Sequence, residues 1–387
     1  MLKNLSKRFV YFCNVTRKLH FETKFGKNSL EIFSKIAKSS RHYPYLWLRD
    51  NCKCSKCYNY IADEIDIDLT TIPDTIRPNK IESIDQKTFS ILWNDGHKSE
   101  YDLEKLYNYS LKSLNQSKEE KKLWNKLVLG QKGIPKFNYN NYLNDDSILR
   151  LTLQSIKKYG AVIIENVGSN SNEISNVCKR IGPIQNSHFG ADCIVTNSLS
   201  FKDRAYTNLS LKAHTDTVYM KNSAGIEMFH VVKPAETGGE SLLVDGFYCA
   251  QQLKQNCPHD FDILNKLNVE FNFLKEGAYD LRYKGPVIEL DELGNFVQIR
   301  FNPYHKVNVD HLSFDDICRY YRAIRNFSTI IQDKLNEHWI ALGEDQVLLF
   351  DNYRLLHGRA AFTGHRTLTT VYLSRDDYLS KANVLGV

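Results

Sequence analysis

Two groups of side chains in this sequence have the types and spacing for metal chemistry. The first is His214-Thr215-Asp216 together with the distant His357. In an extended segment alternate side chains point to the same side, so His214 and Asp216 can reach one ion. Alone the tripeptide says little. Twelve histidines make a chance His-x-Asp about once per chain, and an isolated one is ordinarily a surface ion pair. His357 changes the weight, because it follows the apolar run Val347-Leu348-Leu349-Phe350, just after what reads as a buried strand. Two imidazoles and one carboxylate leave coordination positions open on the metal, the arrangement of non-haem iron oxygenases that take oxygen and a chelating co-substrate. Arg366 opens the next strand, where a guanidinium can grip the far carboxylate of 2-oxoglutarate in a bidentate pair. Gly238-Gly239-Glu240-Ser241 lies between two strand candidates, and the Ser241 hydroxyl is a further donor for a bound carboxylate.

The second group is Cys52-Lys53-Cys54-Ser55-Lys56-Cys57 with His97, which sits after a tight turn. Three thiolates and an imidazole suit a closed tetrahedral zinc site that stabilises folding and does no chemistry. The spacing departs from paired Cys-x-x-Cys knuckles, so three unrelated thiols remain the alternative.

The elements that must carry these residues fall into two regions. Residues 31–111 read as a small β domain: Tyr43 to Leu48 as a short strand, and Thr88 to Trp93 as a strand with Phe89, Ile91 and Trp93 on one face. Asn94-Asp95-Gly96 supplies the hairpin turn. Residues 112–140, polar and charged, read as a partly helical linker. Residues 141–387 read as the catalytic domain. It opens with a helix from Asp146 to Tyr159, capped by Asp145 or Asp146 and stopped by Gly160. Strands follow at Ala161–Val167, Ile226–Val232, Ser241–Asp245, Pro286–Leu290, Phe296–Phe301, Gln346–Asp351 and Thr367–Leu373. One long helix interrupts them, capped by Ser313, with Ile317, Tyr320, Tyr321, Ile324, Phe327 and Ile331 as its apolar stripe. Many short strands with few helices suit a jelly roll better than a parallel βαβ sheet. The fold class is therefore mainly β with flanking helices.

Composition excludes more than it assigns. The chain has 387 residues, 42% hydrophobic and 25% charged, ample for a large domain and a small one. A net charge of +6 without a basic-aromatic block argues against a nucleic-acid partner. No apolar stretch is long enough to span a membrane. Nine cysteines, an odd number with three clustered, fit a reducing compartment. Before Glu22 there is no acidic residue, while Lys3, Lys7, Arg8, Arg17 and Lys18 alternate with Leu2, Leu5, Phe9, Val10 and Phe12. Residues 1–30 thus read as an amphipathic mitochondrial presequence, delivering the protein to the matrix. A basic tail on a cytoplasmic protein is the alternative.

Longer motifs narrow the chemistry. His214-Thr215-Asp216-Thr217, Thr237-Gly238-Gly239, Leu243-Val244-Asp245-Gly246-Phe247, Asp351-Asn352-Tyr353-Arg354 and Leu356-His357-Gly358-Arg359 resemble the trimethyllysine and γ-butyrobetaine dioxygenase family from about Tyr45 to the C-terminus. The resemblance implies a double-stranded β-helix core, iron at His214, Asp216 and His357, 2-oxoglutarate at Arg366, and a small N-terminal domain holding zinc at Cys52, Cys54, Cys57 and His97. Phe362-Thr363-Gly364-His365-Arg366, Tyr372-Leu373-Ser374-Arg375-Asp376-Asp377 and Ile299-Arg300-Phe301-Asn302 are similar to the trimethyllysine branch. That branch implies 3-hydroxylation of N6,N6,N6-trimethyllysine on the way to carnitine, with ascorbate as an accessory reductant and a homodimer as an option. For the small trimethylammonium amino acid it implies an aromatic box with Tyr206 and Tyr372 as walls, and Asn302 meeting the carboxylate. Ser187-His188-Phe189-Gly190-Ala191-Asp192-Cys193 departs from the family: Phe189 keeps an aromatic face, but Cys193 stands where relatives carry a Trp, and Tyr219 is a candidate replacement. Two alternatives stand beside this expectation. One is γ-butyrobetaine hydroxylation by the same chemistry; the other is a catalytically silent, zinc-containing binding protein.

Overall fold

The computed structural model describes residues 21–387 except 86, 115–120, 189, 191, 197–203, 276 and 306, and of 109–114 and 192–194 the backbone only. It divides into two units, Met1–Gln116 and Ser117–Val387.

In the first unit, strands Phe21–Phe25, Ser29–Ser34 and Ser39–Pro44 form one antiparallel sheet. Strands Pro78–Ser83, Thr88–Trp93 and Lys98–Asp102 form another. Phe89, Ile91 and Trp93 are buried, as alternation requires. The turn that follows is closed by the Trp93 amide donating to the His97 carbonyl at 2.8 Å, with Gly96 at φ 85°. One expectation is corrected here. Tyr43–Leu48 is not one strand: Pro44 ends the ladder, and Tyr45–Asp50 is a helix burying Tyr45, Leu48 and Arg49 on one face. Within the span expected as presequence, the strand Phe21–Phe25 pairs antiparallel with Ser29–Ser34. The first twenty residues of that span lie outside those described.

The second unit is a jelly roll. A six-stranded sheet runs in the order Asp192–Thr196, Thr367–Leu373, Ile226–Lys233, Val347–Asp351, Ala161–Glu165, Lys136–Asn138. A four-stranded sheet runs Leu211–His214, Leu355–Arg359, Ser241–Asp245, His338–Ile340. The period of two sorts every strand. On the six-stranded sheet Ile226, Met228, Val347, Leu349, Val371 and Leu373 pack outward with Leu149, Leu153 and Ile156 of helix Asp146–Tyr159. On the four-stranded sheet Leu242, Val244 and Leu356 pack outward against helices Gly246–Asn256, Pro258–Lys266 and Phe314–Ile331. Between the sheets, Ala161, Ile163, Leu243, Leu348, Phe350 and Leu355 fill one end as apolar core. Glu227, Thr370, Tyr372, His214, His357 and Arg359 line a cavity.

Helix Asp146–Tyr159 forms as expected: the Asp145 carboxylate accepts from Ser147 N, and Gly160 closes it in the left-handed region at φ 85°. Helix Phe314–Ile331 is capped by Ser313, but Tyr321 is 53% exposed and leaves the expected stripe to Tyr320, Ala323, Phe327 and Ile331. One helix was expected among the strands; three pack together there. Of the region expected as a linker, residues 121–140 are packed into the second unit. Trp124 is fully buried, its amide donates to Asp245 Oδ2 at 3.0 Å, and Lys136–Asn138 pairs in parallel with the strand Ala161–Glu165. Isolated apolar residues among lysines carry no period, so pattern alone could not place them.

Candidate metal and co-substrate site

The polar ends of three strands meet in a cavity of about 550 Å³. His214 ends the strand Leu211–His214 and pairs directly with His357, which follows the strand Val347–Asp351 and lies in the middle of the next one, Leu355–Arg359. Leu243 pairs with His357 from the other side. The pairing brings the two imidazole centroids to 4.2 Å. His214 Nε2 lies 3.3 Å and His357 Nε2 3.8 Å from Asp216 Oδ1, and donor atoms of all three residues lie within 4.8 Å of one another.

Asp216 sits on a turn built to present it. Asn352, fully buried, accepts from the Asp216 amide at 2.8 Å and donates to its carbonyl at 3.2 Å. Thr217 takes a positive φ of 53°, unusual for a β-branched residue, and its Oγ1 accepts from Ala224 N at 2.8 Å. The Arg300 guanidinium donates to the carbonyls of Val218, Met220 and Lys221 and to Ser223 Oγ, holding the rest of the turn. Tyr372 donates to Asp216 Oδ2 at 2.6 Å.

The electrostatics suit a cation. Burial alone would raise the Asp216 carboxyl, but the hydrogen bond with His214 and the two facing imidazoles outweigh it, holding it well below the usual carboxylate range. Burial, with His214 adding to it, pushes His357 down to about 3, so its ring is neutral and able to ligate. Two imidazoles, an ionised carboxylate and open cavity on the remaining side fit an iron(II) ion with positions left for small ligands.

Arg366 and Ser241 line the same cavity. Arg366 is only 5% exposed, burial pushes it down to about 10, and no carboxylate pairs with it among the described residues. An unpaired buried guanidinium facing a cavity is a receptor for an anion. Arg359, which sequence reasoning did not single out, is also down to about 10, through burial and then the charge of Arg366. It donates to the carbonyls of Ala205, Thr207 and Leu209 and so pins the segment that carries Tyr206.

The expected substrate residues Tyr206, Asn302 and Tyr372 all line the cavity. Asn302 accepts from Tyr304 N at 3.0 Å. Tyr219 lines it too and stacks on Phe273 with centroids 4.9 Å apart and planes at 25°. His305 meets this pair edge-on. Phe189 lies outside the described residues, and Cys193 is placed by backbone alone, opposite Thr370. Phe273, His305 and Glu227 were missed. For Glu227 a signal existed, since a carboxyl within Ile226-Glu227-Met228-Phe229 interrupts an apolar strand.

In the first unit, Cys52, Cys54 and Cys57 place their Sγ atoms 3.4, 3.5 and 3.5 Å from His97 Nε2. Tetrahedral bonds of about 2.3 Å to sulfur and about 2.05 Å to nitrogen set an S···N edge of about 3.5 Å. The donor set fits zinc. Arg49 donates to Cys57 Sγ at 3.5 Å and to Asp95 at 2.8 Å, placing a cation beside the thiolates.

Comparison with known proteins agrees with this geometry. Residues 121–372 match the family "Taurine catabolism dioxygenase TauD, TfdA family", and residues 23–107 match "Gamma-butyrobetaine hydroxylase-like, N-terminal". The mitochondrial trimethyllysine dioxygenase of Mus musculus is 32% identical over 391 residues, covering 100% of this chain and 92% of the relative. That of Homo sapiens is 33% identical, covering 91% and 85%. The γ-butyrobetaine dioxygenase of Pongo abelii is 28% identical, covering 89% and 91%. The chain belongs to the TauD/TfdA family of 2-oxoglutarate-dependent dioxygenases, in its trimethyllysine and γ-butyrobetaine dioxygenase branch.

Proposed function

We propose that this protein hydroxylates N6,N6,N6-trimethyllysine at carbon 3, using iron(II), oxygen and 2-oxoglutarate, as an entry step to carnitine. The observation that carries it is the His214–Asp216–His357 set sharing one cavity with the unpaired Arg366 and an aromatic wall. Iron bound there supplies oxygen activation coupled to decarboxylation of 2-oxoglutarate to succinate. The chain's own groups bind and orient. Arg366 takes the distal carboxylate of 2-oxoglutarate, and Ser241 adds a hydroxyl. Tyr206, Tyr219 and Phe273 offer ring faces to a trimethylammonium group, which has no N–H to donate; each face contributes roughly 0.5–2 kcal/mol. Asn302 meets the substrate carboxylate. Tyr372 orients Asp216 by its hydrogen bond while its ring borders the substrate. Leu348, Phe350 and Leu355 keep the closed end of the sandwich dry.

The trimethyllysine substrate is favoured over γ-butyrobetaine because the relatives named for it are the more similar, at 32–33% against 28%. Zinc at Cys52, Cys54, Cys57 and His97 serves stability, ascorbate maintains reduced iron, and the matrix is the site of action, in keeping with relatives named mitochondrial. Among the described residues no helix is long and apolar enough to cross a membrane.

The test is succinate release from 2-oxoglutarate with trimethyllysine, γ-butyrobetaine and unmethylated lysine side by side. Trimethyllysine should drive the fastest turnover and lysine the slowest. Equal activity on lysine rejects cation recognition by ring faces; preference for γ-butyrobetaine reassigns the substrate.

A further inference from the structure

We infer that Glu227 is a positioning residue of the metal site: its carboxyl accepts the Nδ1–H of His357 and so keeps Nε2 unprotonated and aimed at the ion. This rests on His214, Asp216 and His357 being the metal ligands.

A ligating histidine needs its far N–H held by an acceptor, which fixes both tautomer and ring orientation. His214 has one: its Nδ1 lies 2.8 Å from the Lys212 carbonyl, leaving Nε2 for the ion. His357 has no backbone acceptor. Its ring lies against Phe229 and Phe350, which offer no lone pairs, and its buried Nδ1 makes no hydrogen bond among the described residues. The nearest carboxylate oxygen is Glu227 Oε2 at 3.7 Å, itself buried and without a hydrogen bond. Two unmatched polar atoms thus face each other across a gap slightly longer than a hydrogen bond. A small rotation of the flexible glutamate chain closes it.

The rest of the setting agrees. Glu227 is 1% exposed on the strand Ile226–Lys233, directly opposite Tyr372 and Phe350 in the ladders. Its other oxygen, Oε1, is approached by Thr370 Oγ1 at 3.5 Å, which leaves Oε2 turned to the imidazole. A carboxyl buried between strands is costly unless partnered; burial and the adjoining Asp216 carboxylate push its pKa up, and His357 is the N–H donor within reach. Tyr372 and Glu227, neighbours across one pair of strands, then hold two ligands of the same ion: the tyrosine holds Asp216 and the glutamate holds His357.

The test titrates Mn(II) into the full-length protein and counts free ion by electron paramagnetic resonance; Mn(II) favours this donor set over the thiolates. Two variants are compared, Glu227→Gln, which keeps an acceptor oxygen, and Glu227→Met, which keeps volume only. Glu227→Met should bind Mn(II) about 10–100-fold more weakly, the usual loss for an outer partner of a ligating histidine. Glu227→Gln should stay within about threefold of the parent. Parental affinity in Glu227→Met overturns the inference, and so does equal weakening in both variants, which would point to charge and not to the acceptor. If the parent binds no Mn(II) and His357→Ala changes nothing, the metal-site assignment fails along with it. Should Glu227→Met not fold, proton spectra of the parent with zinc kept at the cysteine cluster and Co(II) at the histidine site decide: two exchangeable, hyperfine-shifted ring N–H lines are expected, and a single line overturns the proposal.

Discussion

Arg366→Met should weaken 2-oxoglutarate binding and stabilise the ligand-free protein at once. Lowering this guanidinium from 12.5 to about 10 by burial alone corresponds to about 3 kcal/mol of lost solvation. In the free protein nothing recovers that cost; a bound carboxylate does. Removing one partner of a buried, hydrogen-bonded charge pair costs about 2–5 kcal/mol of binding, so the KM for 2-oxoglutarate should rise from about 30-fold to a few thousandfold. Methionine keeps most of the aliphatic stem and gives up the guanidinium, which lies 5.9 Å from the Phe362 ring centroid, so the ligand-free variant should melt at or above the parental temperature. Arg366→Lys, with charge but no planar fork, should fall between. The assay is succinate formation against 2-oxoglutarate concentration, paired with thermal melting of the ligand-free protein. A KM within about threefold of the parent refutes the anion-receptor assignment.

Arg354 and Asp245 form a pair with 1% and 0% side-chain exposure, joined at 2.7 and 3.1 Å. Because Asp245 also caps helix Gly246–Asn256, Arg354→Met leaves a buried charge short of partners and should cost about 3–5 kcal/mol in urea unfolding; a loss under about 1 kcal/mol contradicts this. Stripping zinc with a chelator should lower the melting temperature of the first unit, and zinc but not magnesium should restore it. The Asp95 carboxyl is held below its ordinary value: burial raises it, but the His97 amide and the Arg49 guanidinium outweigh that. A depressed folded value contributes stability above the unfolded value of about 3.9, lost as pH falls through the folded one. The first unit should therefore lose stability below about pH 4, and Asp95→Asn should flatten that loss in a pH series of melting curves.

The clustering of His214, Asp216 and His357 was legible because types and spacing carry it: a His-x-Asp in an extended segment, and a histidine beside an apolar run. The strand Leu355–Arg359 was not legible, since Arg354, His357 and Arg359 break the apolar alternation for reasons of charge and chemistry. Trp124 and Tyr142 were hidden in the same way, as single buried rings in a Lys- and Asn-rich stretch. The aromatic wall was half legible. Tyr206, Tyr372 and Tyr219 were identified, but Phe273 comes from a hairpin, Val269–Gly285, whose position no local pattern reveals. The helix Tyr45–Asp50 shows the reverse error, where β-like composition hid a turn set by Pro44.

The most direct test of the whole account is turnover with trimethyllysine under ¹⁸O₂, read by mass spectrometry. Hydroxytrimethyllysine and succinate should form in equal amounts, each carrying one oxygen from the gas, and His357→Ala should form neither. Hydroxylated product with unlabelled succinate, or 2-oxoglutarate consumption that trimethyllysine does not stimulate, would contradict it.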